Sequence, residues 1–380
     1  MLSPLEVRGL FPRLHDVIFM NHAAVSLLSR RTEAAVVRAA DELTGPYYPD
    51  LRGRADALRA MVGSLIHAPS EGIALTRSTA HGFTILAQGL EWTAGDNVVG
   101  ARGEYPANVY PWMALARQGV EFRMTEPRDG RITPEAVMEL VDERTRVVTL
   151  SHVQFWNGYR VDIGTLAAEC HRRGIIFAVD VMQSLGALRV DVEQLKIDFL
   201  ASGACKWLLG PAGISFCYCQ LDLLEHLQPV LVGAGSVRRR DDYFNYELDL
   251  PPTGQRFEET WISLLDVAAF TAAVELVQQL DAEAVERRVL ELNKRLASGL
   301  AERGLQVVAP WPRSAEESSG IVSFRHPSRP AEEVFSFLSK NRVICSLRSD
   351  FVRLSPHYYN TEEEIDRVLE LLEAVFGTVF

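Results

Sequence analysis

The sequence predicts an α/β fold with a mostly parallel sheet covered on both faces and a smaller α+β C-terminal domain. Three observations carry this. From about residue 70, short apolar runs alternate with amphipathic helical stretches. The apolar runs are bounded by Gly and Pro and are rich in Val, Ile and Phe, which is how strands buried on both faces read. After Asp222 the alternation stops, and long helical periodicity takes over.

The elements follow in order. Strands are expected at 72–76, 97–101, 120–124, 146–153, 175–181, 199–202 and 213–219. Helices are expected at 79–90, 107–118, 133–142 and 163–173. Strand and helix in strict alternation is the signature of right-handed crossovers in a parallel sheet. Residues 232–255 carry Gly, Arg, Asp and the pair Pro251-Pro252, and read as a long loop. Helical spacing then resumes at 262–279 and 282–303. The last eighty residues read strand, strand, helix, strand, strand, helix. The final helix opens on Thr361-Glu362-Glu363-Glu364, a capping box in which hydroxyl and carboxylate satisfy free amides. The expected division is a large domain over 16–260 and a small domain made of 1–15 and 261–380.

Composition narrows the function. The 380 residues are 47% hydrophobic, enough for a large core. The formal net charge of −11 argues against a nucleic-acid surface, which needs clustered positive charge. The one basic run, Arg238-Arg239-Arg240, is followed at once by Asp241-Asp242 and reads as a solvated loop. Five cysteines, at 170, 205, 217, 219 and 345, have spacing that suits neither a disulfide framework nor a zinc site. No apolar run approaches a membrane span, and no signal peptide is apparent. A soluble, cytoplasmic protein without a metal is expected. No Gly-x-Gly-x-x-Gly follows a strand, which disfavours a dinucleotide enzyme.

The chemistry-bearing residues begin with lysine. Only four of the 39 basic residues are lysine, at 196, 206, 294 and 340. Lys206 differs from the rest because it lies between a strand end and the apolar run Trp207-Leu208-Leu209. Burial disfavours the charged form of an amine, and a neutral amine is what Schiff-base chemistry needs. Asp180 ends a buried strand, where α/β sheets bind ligands, and Gln183 follows three residues later. Asp180 could keep a pyridine nitrogen protonated, and Gln183 could donate to a ring oxygen. Thr76-Arg77-Ser78-Thr79-Ala80 links a strand to a helix start, where free amides and hydroxyls suit a phosphate. Each feature has an ordinary counterpart: a snorkelling lysine, a turn-capping aspartate, a plain N-cap. Together they supply an amine, a ring partner and a phosphate cradle.

Asp180-Val181-Met182-Gln183 followed by Ser202-Gly203-Ala204-Cys205-Lys206-Trp207-Leu208-Leu209-Gly210-Pro211 resembles the class V aminotransferase family. That family includes cysteine desulfurases, selenocysteine lyases, isopenicillin N epimerase and kynureninase. The resemblance implies a fold-type I pyridoxal 5'-phosphate (PLP) enzyme, homodimeric, with active sites at the dimer interface and an amino acid as substrate. It implies Lys206 as the Schiff-base lysine, Asp180 as the pyridine-nitrogen partner and Gln183 as the partner of the ring oxygen. Thr79 and Ala80 match the phosphate loop. Tyr105, in Glu104-Tyr105-Pro106-Ala107-Asn108, matches the residue that stacks on the ring. Arg256-Phe257-Glu258 resembles the start of a loop lent by the neighbouring subunit, with a phosphate contact near Thr260. Arg353 matches the arginine that grips the substrate carboxylate, a task for which its bidentate fork is suited.

The departures from the family pattern are specific. Cys205 stands where many relatives have His, and Gly203 where desulfurases carry Ser. Gln154-Phe155 is closer to the kynureninase and epimerase branch. The stretch Ser346-Leu347-Arg348-Ser349-Asp350-Phe351-Val352 has no cysteine, whereas desulfurases carry a nucleophilic one just before the substrate arginine. Cys345 reads as core. The expected activity is transamination or β-elimination. An epimerase-like racemase, or a desulfurase or selenocysteine lyase without the usual loop cysteine, is the alternative.

Overall fold

The computed structural model describes residues 1–309 and 311–376. Its centre is a seven-stranded sheet. The strands are β1 (Ile73–Thr76), β2 (Asn97–Ala101), β3 (Glu121–Thr125), β4 (Thr145–Ser151), β5 (Ile176–Asp180), β6 (Phe199–Gly203) and β7 (Ser215–Cys219). Their order across the sheet is β1-β7-β6-β5-β4-β2-β3. β7 runs antiparallel to both of its neighbours, and every other pair is parallel. The sheet is thus the mostly parallel one that the alternation predicts.

Period-2 alternation divides the strand residues between two cores. Val99, Val148, Val179 and Leu200 face one side, against Leu58, Val62, Phe270 and Val274. Val98, Val147, Ala178 and Phe199 face the other, against Phe83, Leu86 and Trp112. On that second face lies helix Thr79–Gly89, pressed close to the sheet. A Cβ at Gly82 would come within 2.8 Å of the Ala201 Cβ and 3.2 Å of the Cys217 Cβ, so only glycine allows this approach.

Two expected helices are shorter than their patterns. The run 107–118 breaks into Pro106–Asn108, Tyr110–Met113 and Ala114–Gln118. Pro106 and Pro111 lack the amide hydrogen that a continuous helix needs. The run 133–142 keeps one turn, Pro134–Met138. It then closes by short-range bonds, and the Asp142 amide donates to Thr145 Oγ1 (2.9 Å), which turns the chain into β4. Two helices, Arg30–Glu42 and Leu51–Ile66, precede the alternation in a stretch for which the sequence analysis assigns no element. Between Glu225 and Gly254 there is no regular element.

The C-terminal region builds an antiparallel sheet from β8 (Gln306–Val307), β9 (Val322–Arg325), β10 (Ser346–Arg348) and β11 (Phe351–Leu354), in the order β10-β11-β9-β8. Helices Ala282–Glu302, Ala331–Lys340 and Glu362–Phe376 accompany it. The Thr361 box is formed: the Glu364 amide donates to Thr361 Oγ1, and the Thr361 amide donates to Glu364 Oε2. The N-terminal segment packs here too. Arg8 pairs with Glu364 at 2.7 Å, and Ile18–Phe19 runs parallel to Val343–Ile344. Among the described residues no helix is long and apolar enough to cross a membrane.

One buried ion pair ties helix Leu51–Ile66 to β1. Glu258 accepts from Arg59 Nε (3.0 Å), Arg59 Nη2 (2.6 Å) and the Leu75 amide (2.9 Å). Without Glu258, buried Arg59 keeps only its contact with the exposed carboxylate of Asp56, and the Leu75 amide loses its acceptor. Glu258→Ala is therefore expected to lower unfolding stability by about 3–5 kcal/mol in urea titrations. A loss below about 1 kcal/mol would contradict this account.

Candidate active site

Strand order reverses between β2 and β4: the chain leaves β2 toward the β3 edge, and leaves β4 in the other direction. Crevices at the carboxyl ends of strands near such a reversal are where open α/β sheets hold ligands. A cavity of about 750 Å³ opens there. Thr79, Ala80, Tyr105, Asp180, Gln183, Cys205 and Lys206 all line it.

Asp180 is the last residue of β5, on the same sheet face as helix Thr79–Gly89. Its Oδ1 accepts from the Met182 amide (2.8 Å), and Oδ2 has no partner among the described residues. Burial raises its pKa, and the nearby Glu104 raises it further. Lys206 follows the turn after β6. The Leu209 amide donates to the Lys206 carbonyl (3.1 Å), and Leu209 takes a left-handed φ of 59°. Burial lowers the amine's pKa, with Asp180 acting the other way and Arg353 adding to the fall. Its Nζ lies 5.4 Å from the centre of the Tyr105 ring. Tyr105 in turn meets Phe155 edge-on, with ring centres 5.3 Å apart.

Gln183 is held from two sides. Its Nε2 donates to the Ala23 carbonyl (3.0 Å), and its Oε1 accepts from Trp207 Nε1 (3.0 Å). One amide hydrogen remains free for a ligand. Trp207 is fully buried, and its carbonyl accepts from His357 Nε2 (3.0 Å). Gly186, at φ 97°, lets this loop pass: a Cβ there would sit 2.4 Å from the Trp207 carbonyl oxygen.

Helix Thr79–Gly89 points its start into the cavity. Ser78 caps it by accepting from the His81 amide (3.1 Å), while the Thr79 and Ala80 amides have no partner among the described residues. Cys205 lines the cavity beside Lys206, and burial pushes its thiol up.

Two of the expected site residues are not in the lining. Arg353, on β11, is 1% exposed and stands behind Phe155, whose carbonyl accepts from its Nη1 (2.7 Å). Its Nε and Nη2 have no partner among the described residues. Burial, and Arg348 alongside, push its pKa down to about 9. Thr260 lines a separate cavity of about 260 Å³, which shares Arg77 and Gly213 with the larger one.

Glu104 is a residue to which the sequence analysis assigns no role. It is buried after β2 and accepts from the Ser151 amide (2.9 Å), the Ser151 hydroxyl and Gln154 Nε2 (2.6 Å). It therefore locks the loop that carries Tyr105 to the end of β4. An acidic residue three positions beyond the end of a buried strand was the available signal, whereas Asp180 ends its strand. Cys345 is buried and its thiol is pushed up to about 12, in keeping with a core position.

Comparison with known proteins bears on the family and the fold. The probable cysteine desulfurase of Pyrococcus abyssi is 29% identical, with 98% of each chain covered. The apo cysteine desulfurase of Thermococcus onnurineus NA1 shares the fold, with a TM-score of 0.90 at 24% identity over 99% of this chain and 98% of that one. The cystine C-S lyase C-DES, solved with its product cysteine persulfide, has a TM-score of 0.88 at 25% identity over 95% and 98%. The family model for aminotransferase class V matches residues 29–368, and the chain therefore belongs to the class V aminotransferase family, whose enzymes depend on pyridoxal phosphate.

Proposed function

We propose that this chain carries out PLP-dependent β-elimination on a small sulfur-bearing amino acid. The observation that supports an amino-acid substrate is Arg353: a buried guanidinium behind Phe155 of the cavity wall, with two nitrogens unpartnered among the described residues. Leaving such donors unpaired is costly, and a carboxylate satisfies both at once. The other free groups fit the cofactor equally well. Asp180 Oδ2 suits a protonated ring nitrogen, Gln183 a ring oxygen, and the Thr79 and Ala80 amides a phosphate.

When bound, the cofactor supplies an aldehyde for a lysine amine and a ring that takes up the electron pair of a bond broken at Cα. Lys206 holds it, because burial favours the neutral amine that must react. Asp180 would keep the ring nitrogen protonated, and Tyr105, beside Lys206 Nζ, would border the ring. Arg353 orients the substrate through its carboxylate. Lys206 Nζ, once free, would serve as the base that takes the Cα proton. The Cβ–S bond then breaks with its electron pair on sulfur, and Lys206 returns the proton to the departing group. The carbon product hydrolyses to pyruvate and ammonia.

The sulfur reading rests on the desulfurase and C-S lyase relatives. The missing loop cysteine selects the lyase branch. Residues 346–353 hold no cysteine, and the thiol of Cys345 is buried and weakly acidic, so sulfur departs to solution rather than onto an enzyme thiolate.

We also assign a homodimer. Tyr47, Tyr48, Tyr243, Phe244 and Tyr246 are exposed, and Arg52 links their segments by pairing with Asp241 (2.5 Å) and lying over Trp261 (5.0 Å). An aromatic surface of this kind marks an interaction site. Thr260 adjoins Trp261 at the edge of this surface, in keeping with the phosphate contact across subunits that the resemblance implies near Thr260. Sedimentation should give twice the chain mass, and Phe244→Asp with Tyr246→Asp should shift the protein to monomer. A monomeric parent protein would refute the assignment.

The central test mixes the PLP-saturated protein with a panel of amino acids. A visible absorption band that Lys206→Ala abolishes, with pyruvate, ammonia and sulfide released from cysteine, or pyruvate, ammonia and cysteine persulfide from cystine, is the expected result. Turnover should survive Cys345→Ser. Conversion to the pyridoxamine form would make the reaction a transamination, and a band that persists in Lys206→Ala would sink the assignment. For Arg353, Arg353→Ala should lower kcat/KM by about a hundredfold, the loss of two hydrogen bonds to a charged group. The variant should also stop distinguishing the substrate from its α-carboxamide. Equal discrimination before and after the change would rule out the carboxylate role.

A further inference from the structure

Gly203 leaves the phosphate end of the cavity without a side chain on β6. Position 215, on the next strand, fills the gap. β6 and β7 pair with Gly203 directly opposite Ser215, and Ser215 is also opposite Thr76 on β1. Directly opposed residues of antiparallel strands point to the same face. That face carries helix Thr79–Gly89, and Thr76 begins the turn that leads to its first amides. The space that a residue at 203 would use is already taken: a Cβ there would lie 3.2 Å from Ser215 Oγ and 2.9 Å from Met182 Cε. Ser215 is 3% exposed, lines the Lys206 cavity, and its hydroxyl has no hydrogen-bond partner among the described residues. The hydroxyl opens on the cavity, where it is free to donate to a ligand oxygen.

We propose that Ser215 Oγ is a ligand of the cofactor phosphate, donating from β7 the hydrogen bond that no side chain on β6 can supply. It completes a cradle of which the Thr79 and Ala80 amides are the other wall. The inference rests on the cofactor site described above and adds a residue that this site otherwise lacks.

The test compares two ligands that differ only in the phosphate. Apoprotein is titrated with PLP and with pyridoxal, and the Lys206-dependent visible band is followed. Ser215→Ala should raise the Kd for PLP about tenfold or more, as expected for a hydrogen bond to a charged group. The Kd for pyridoxal should be unchanged, which also reports an intact fold. The phosphorus resonance of bound cofactor should move in the variant. Unchanged PLP affinity, or equal weakening for both ligands, would overturn the role of Ser215. Absence of a Lys206-dependent band in the parent protein would overturn the cofactor site itself, and this proposal with it.

Discussion

Three ionisable groups, Asp180, Lys206 and Arg353, are taken out of water at one end of the central sheet, and the rest of the structure serves to hold them there. Burying a charge without a partner is expensive, and isolated ones neutralise instead. The directions of shift follow: the carboxyl is pushed up, the amine and the guanidinium are pushed down. Each group keeps some unsatisfied capacity. Asp180 uses one oxygen on the Met182 amide, and Arg353 one nitrogen on the Phe155 carbonyl. A fold tolerates such stored cost where a ligand relieves it.

The sheet decides which groups meet. Ser151, Asp180, Gly203 and Ser215 come from four strands and lie on one face, because each matches its strand's alternation with residues packed on helix Thr79–Gly89. A register slip of one residue would send any of them to the opposite core. The strand reversal between β2 and β4 then leaves room above this row for a ligand.

A second layer fixes the loops. Trp207 binds Gln183 through its indole and His357 through its carbonyl, while His22 meets Tyr359 (2.6 Å) and the Ser355 carbonyl (3.0 Å). These bonds join the loop of Lys206 to the N-terminal segment and to the C-terminal region that carries Arg353. Burial holds His357 at about 4, so it stays neutral and donates to the Trp207 carbonyl throughout the physiological range. Met182 adds a softer contact, its sulfur accepting from the Gly203 amide (3.1 Å).

Much of this was legible in the chain itself. Apolar runs bounded by Gly and Pro marked the buried central strands, since burial on both faces leaves no other pattern, while the edge strand β3 is only partly covered. Lys206 and Asp180 stood out because a charge amid apolar residues needs a reason. Other features depended on tertiary structure. Pro106 and Pro111 broke an apparently periodic helix once backbone hydrogen bonds had to be satisfied. Two partners of Glu104, Ser151 at the end of β4 and Gln154 just beyond it, lie 47 and 50 residues away, and local sequence does not encode such pairings. Arg353 reaches its place only through the packing of β11 behind Phe155. The opposition of Gly203 and Ser215 exists only in the register of two strands. Residue type and periodicity, which are local, determined the class of fold and the candidate chemistry. Tertiary structure decided which of those groups share a cavity and which keep a free hydrogen-bonding atom, because both depend on contacts between segments distant in the chain.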